Sequence, residues 1–190
     1  MRVLFYGPQG SGKSTQAQLL AETLNVPMIS AGQISRELAS KDDPEGKLIK
    51  NLIDKGDATP NEIIVREINK RLDNPSSQNG FVMDGYPRFA QQIEYLILAG
   101  EERGWEIDKV VVIDLSEEIG HKRVLSWAEI EGRNDDTVES LKRRLELYRQ
   151  QTQPIISYFE TLGKVVHIDG SGTVEEVRNL IKKSIINDKN

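Results

Sequence analysis

"RVLFYGPQGSGKSTQAQLLAETL", residues 2–24, joins a short apolar run to a glycine-rich octet and then to a stretch with helical spacing. The octet "GPQGSGKS" at 7–14 satisfies GxxxxGK[ST], and it stands between a strand pattern at 2–6 and a helix pattern at 13–24, the context that gives the motif its physical meaning. Gly7, Gly10 and Gly12 let the backbone curl so that successive N–H groups point inward, and the following helix adds its positive end. Lys13 supplies a mobile charge for outer phosphates, Ser14 a hydroxyl suited to magnesium, and Thr15 a hydroxyl for an inner phosphate. The loop therefore reads as a nucleotide-phosphate site. It holds neither a general base nor an acceptor pocket, so it leaves the reaction open.

Outward from this loop, short β-branched runs alternate with longer amphipathic stretches. "VPMIS" (26–30) predicts a second strand, and "GQISRELAS" (32–40), "PEGKLIKNLIDKG" (44–56) and "PNEIIVREINKRL" (60–72) predict three helices in succession. Thr59, Pro60 and Glu62 predict the cap of the third. "GFVMD" (80–84), "KVVVIDL" (109–115) and "KVVHID" (164–169) complete five strands, with a helix over about 89–103 and another capped by Ser116. The polar "EIEGRNDD" (129–136) precedes a long helix that runs toward 162 and bends near Pro154, and Thr173 with Glu176 forms a capping box for the last helix. Five mostly apolar strands separated by helices predict an α/β fold, a parallel sheet covered on both faces. The long helical passage between strands two and three predicts a small lobe of its own.

A chain of 190 residues suits one domain, 1–190. A net charge of −5 excludes a sequence-independent grip on nucleic acid, so any anion site is local. There is no cysteine, hence no disulfide or thiolate zinc site, and the two histidines, His121 and His167, lack ligand-type spacing and read as structural. No apolar stretch spans a bilayer and no signal peptide is visible. The expectation is a soluble cytoplasmic protein without membrane or nucleic-acid partners, and a monomer, since no long exposed apolar stripe is present.

"MDGYPR" (83–88) ends the third strand, and ligands of open parallel sheets bind beyond the carboxyl ends of the strands. Asp84 there can hold the water shell of a magnesium ion, while Gly85 and Pro87 make a turn that aims the planar Arg88 at a second anion. With the phosphate loop, "SAGQISR", "GDATPNE", "GFVMDGYPRFAQQIEYL", "GRNDDTVESLKRRLELYRQQTQPIISYF" and "DGSGTVEEV" in this order and spacing, the chain resembles the adenylate kinase family of nucleoside monophosphate kinases from Met1 to about residue 180.

That resemblance implies a P-loop NTPase three-layer α/β/α fold with a five-stranded parallel sheet, an inserted helical NMP-binding subdomain over 30–60 and a short lid over 127–136, without the zinc-bearing form of lid. It implies ATP and Mg²⁺ as co-substrate and cofactor, and ATP contacts from Gly10, Ser11, Gly12, Lys13, Ser14, Thr15, Arg123 and Gly172. The monophosphate would meet Ala31, Gly32, Arg36, Asp57, Ala58, Thr59, Gly85, Arg88, Gln92, Arg133 and Arg144. Catalysis would rest on Lys13, Arg88, Arg123, Arg133 and Arg144 as electrostatic clamps, with Asp135 and Asp136 orienting neighbouring guanidiniums.

The amide of Gln92 both donates and accepts, which matches the N6/N1 edge of adenine and favours AMP. Ala31 and Gln33 replace the threonine and the acidic residue common in adenylate kinases, so a UMP/CMP kinase stands as the alternative. Ser14 stands where the family commonly has glycine. Trp127 occupies the place of a further lid arginine, which predicts reduced turnover or a shifted nucleotide preference unless Lys122 or another cation compensates; a nucleotide sensor with weakened catalysis is the remaining alternative.

Overall fold

The structure, a computed structural model, describes residues 1–120, 122–124 and 138–186. Its centre is β1 (Arg2–Tyr6), flanked by β3 (Phe81–Asp84) and β4 (Lys109–Asp114), with β2 (Met28–Ser30) and β5 (Val165–Asp169) at the edges. The sheet order is β2-β3-β1-β4-β5, and each neighbouring pair is parallel. This is the parallel α/β sheet expected from the apolar runs. β2 starts two residues later than its apolar run.

Why β1 is apolar throughout follows from its neighbours. Val3 and Phe5 join Val82, Val111 and Ile113 against α1 (Lys13–Leu24) and α8 (Val174–Ile186). Leu4 and Tyr6 point the other way, into a larger core. That core is closed by α2 (Ala31–Ala39), α3 (Pro44–Asp54), α4 (Asn61–Leu72), α5 (Ala90–Arg103) and α7 (Gln153–Thr161). A strand buried on both faces has no polar alternation to display.

Two local differences from the sequence reading have physical causes. First, α4 is preceded by Pro60 with no side-chain cap, because the Thr59 hydroxyl is engaged instead by Ser35 at 2.7 Å. Second, α6 (Val138–Leu147) passes into α7 through a π-turn at Tyr148–Thr152, just ahead of Pro154. The proline lacks a donor and its ring crowds the carbonyl one turn back, and the wider turn relieves both. His167 on β5 sits between Asp114 (Nδ1 at 2.8 Å) and Glu160 (Nε2 at 3.1 Å), a tie between sheet and α7 in keeping with a structural role. The capping box of α8 forms as expected, with Glu176 accepting from Thr173 N–H at 2.8 Å.

Candidate active site

β1 ends at Tyr6, and the chain then turns under the sheet's carboxyl edge before entering α1. Gly12, the residue before α1, is left-handed (φ 80°), and no side chain caps the helix, so its first N–H groups face the groove rather than a cap. Gly10 is also left-handed (φ 77°), and a Cβ there would stand 2.5 Å from the carbonyl oxygen of Gly120. Glycine is thus required twice over at that position.

Along the same edge, β3 delivers Asp84, and β2 delivers Ser30. Asp84 is 4% exposed, and its Oδ2 accepts from Ser14 Oγ at 2.7 Å and from Ser30 Oγ at 3.4 Å. Its Oδ1 is buried without a hydrogen-bond partner. An orphaned carboxylate oxygen beside a hydroxyl is an all-oxygen donor set, which suits a hard cation that keeps part of its water shell.

The turn after β3 is held from several sides. Tyr6 Oη donates to the carbonyl of Pro87 at 2.9 Å, and Arg88 Nε donates to the carbonyl of Gly85 at 2.8 Å. Gly85 has φ 69°, which brings that carbonyl back toward the guanidinium. Arg88 N–H donates to Gln92 Oε1 at 2.7 Å, and Gln92 Nε2 donates to Asn61 Oδ1 at 2.6 Å. Arg88 opens onto solvent through the groove while protein crowds it from the other sides. That desolvation is the main reason its guanidinium is held below the usual arginine range; Asp84 opposes the shift, and Arg144 and Arg36 add like-charge repulsion. Such mutual repulsion is relieved by a bound anion.

The phosphate loop, Asp84 and Arg88 meet in one groove of about 570 Å³. Gly10, Gly12, Lys13, Ser14 and Thr15 line its donor end. Asp84, Arg88 and Arg144 line it as well, with Gly32, Arg36, Asp57, Ala58 and Thr59 on the wall formed by α2 and the turn before α4. Arg143, next to Arg144 on α6, reaches the same wall and pairs with Asp57 at 3.1 Å. An apolar recess of about 80 Å³ adjoins the groove, and Gly85 lies there beside Phe5, Tyr6, Phe89 and Tyr148. Burial pushes the Tyr148 phenol up to about 12.

Several expected residues lie elsewhere. Ser11 is buried within the loop, Ala31 is buried in the first turn of α2, and Gln92 is 2% exposed, its Oε1 turned to Arg88 N–H. Gly172 is tied to Arg123, whose guanidinium donates to the carbonyls of Gly170 (2.9 Å) and Ser171 (3.0 Å), with longer contacts to Gly172 and Gly10. His121, Trp127, Arg133, Asp135 and Asp136 lie outside the described residues. Ser30 and Ser35 line the groove without having been singled out. A serine just before a helix start was the available signal for Ser30, whose Oγ accepts from Gln33 N–H at 3.3 Å.

The family model for "Adenylate kinase" matches residues 5–164 of this chain. A relative named "Adenylate kinase" from Leptospira biflexa is 39% identical over 184 residues, covering 97% of this chain and 99% of the relative. The chain belongs to the adenylate kinase family. Relatives of the same name from Xanthomonas oryzae pv. oryzae and Trichodesmium erythraeum are each 36% identical, the first over 97% of this chain and 99% of the relative, the second over 97% of both. As an adenylate kinase family member the chain is a phosphotransferase, a nucleoside monophosphate kinase, that binds nucleotides. No helix among the described residues is long and apolar enough to cross a membrane.

Proposed function

We propose that the protein transfers the terminal phosphoryl group of ATP to AMP, giving two ADP. One observation carries this reading: the glycine-rich loop with Lys13 and the cationic cluster of Arg36, Arg88 and Arg144 line a single groove. A donor triphosphate and an acceptor monophosphate can therefore share one space.

The acceptor phosphate is already an anion at neutral pH, so it attacks the terminal phosphorus without a strong general base, and positioning plus charge neutralisation do most of the work. Lys13 and the N-terminal N–H groups of α1 hold the donor phosphates. Arg36 and Arg88 hold the acceptor, and Arg144 neutralises the group in flight. Ser14 and Asp84 would hold Mg²⁺, which supplies charge neutralisation on the donor phosphates when bound. Arg123, fixed to the carbonyls after β5, borders the donor side. Residues 30–60 serve as the acceptor lobe and 127–136, with Arg133, as the lid that excludes water. Gln92 keeps amide hydrogen-bonding capacity beyond its two bonds, in accord with reading adenine. The enzyme works as a monomer in the cytoplasm.

An acceptor panel tests this. Purified protein with ATP and magnesium is given AMP, UMP, CMP, GMP or dTMP, and nucleoside diphosphate formation is followed. The highest kcat/KM belongs to AMP. UMP or CMP leading the panel would overturn the base assignment, and binding without turnover of any acceptor would overturn the kinase reading.

A further inference from the structure

The wall of the groove formed by α2 and the turn before α4 carries two hydroxyls in contact, Ser35 Oγ and Thr59 Oγ1, 2.7 Å apart. Each has one proton, so their bonding has a direction. Ser35 is inside α2 and donates to the carbonyl of Ala31 one turn back, at 2.9 Å. With its proton spent there, Ser35 can only accept from Thr59. Thr59 in turn has given its proton to Ser35, and what its oxygen offers to the groove is lone pairs. Thr59 is 7% exposed, so solvent has little access to reverse this order. The neighbouring Asp57 carboxylate also only accepts.

We propose that the Ser35–Thr59 pair sets acceptor base preference by presenting hydrogen-bond acceptors alone, so that this wall favours nucleobases with an exocyclic amino group over those with a carbonyl at the same place. This rests on the groove being the place where the acceptor nucleoside monophosphate binds. Adenine and cytosine carry such an amino group, whereas hypoxanthine and uracil carry the oxo group. An oxo base facing Thr59 either leaves two acceptors opposed or forces the Ser35 proton off Ala31. A buried polar mismatch of that kind discriminates more strongly than a missing apolar contact.

The cleanest comparison is AMP with IMP, which differ at position 6 by amino against oxo, followed by CMP with UMP. kcat/KM is measured for each acceptor with ATP and magnesium, and affinity for AMP and IMP is measured by titration calorimetry, which needs no turnover. The wild type prefers AMP to IMP by at least about tenfold in both readouts. Two substitutions then act in opposite ways. Thr59→Val removes the acceptor and lowers AMP affinity about 3- to 10-fold with little effect on IMP. Ser35→Ala removes the partner that holds the Thr59 proton, so Thr59 can donate, and IMP affinity rises about 3- to 10-fold. A generally loosened wall would weaken both nucleotides in both variants. An AMP to IMP affinity ratio near one in the wild type, or a ratio unmoved by Ser35→Ala, overturns the proposal. Loss of turnover with the affinity pattern intact sinks the kinase reading and leaves this one standing.

Discussion

Glu67 is the residue on which the acceptor wall is braced, and replacing it with glutamine tests that brace. It lies on α4 with Lys70 at 2.8 Å, Arg66 at 3.2 Å and Arg71 at 3.3 Å. Arg66 continues to Glu45 on α3 at 2.6 Å, and Arg71 to Glu37 on α2 at 2.8 Å, so Glu67 holds within α4 the two arginines that reach the neighbouring helices. The hydrogen bond from Lys70 is the main cause that holds Glu67 down at about 2, against partial burial that acts the other way, with Arg66 and Arg71 adding to the depression. A shift from the ordinary 4.5 to about 2 corresponds to roughly 3 kcal/mol. The cover over Glu67 is its own flexible partners, with Lys70 and Arg66 side chains 62% and 46% exposed. Water screening reduces the expected loss in Glu67→Gln to about 1–2 kcal/mol at pH 7.

The sign follows from the depressed folded-state value. The stabilisation is fully present above pH 4.5 and fades as pH falls through about 2, so wild type and variant converge there. Urea unfolding at pH 7, 4 and 2.5 reads this directly, and salt at pH 7 narrows the gap. Equal stability at pH 7, or a gap as large at pH 2.5 as at pH 7, would refute the reasoning.

Further expectations follow from the groove and from the last helix. Arg88→Ala lowers kcat/KM for the acceptor about 10²–10³-fold, while the urea midpoint stays level or rises because repulsion with Arg144 and Arg36 is relieved; steady-state kinetics with unfolding curves check both. Asp84→Asn keeps an oxygen for Ser14 but removes the charge beside the orphaned Oδ1, and the magnesium concentration for half-maximal rate rises at least about tenfold in a metal titration. Thr173→Ala removes the hydroxyl that donates to Glu176 at 2.8 Å and accepts from its N–H at 3.3 Å, costing about 0.5–2 kcal/mol by urea unfolding without changing kcat.

Much of this architecture is legible along the chain because its signals are local. The runs at 2–6, 81–84 and 109–114 are buried on both faces, and a strand in that setting cannot hide its apolar character. The phosphate loop is equally local, since Gly10, Gly12 and Lys13 act within a few residues of one another. Thr59 shows the limit: its hydroxyl looks like a helix cap beside Pro60, and only the fold brings Ser35 to it from 24 positions away. Gln92 stands out in the sequence, but only the fold shows that its amide accepts from Arg88 N–H and donates to Asn61, the second from 31 positions away. The Glu67 brace was invisible for the same reason, as Arg66 and Arg71 find Glu45 and Glu37 at separations of 21 and 34. Charges on amphipathic helices look solvated until the helices are placed side by side.

The central claim is that one groove brings a donor's terminal phosphoryl group to a monophosphate acceptor. Purified protein, magnesium, AMP and ATP labelled at the γ-phosphate test it most directly, with the fate of the label read in a single turnover. The account predicts label in the β-position of ADP made from AMP, with no free phosphate above background. Label released as inorganic phosphate, or retained in ATP while AMP stays unchanged, would contradict it.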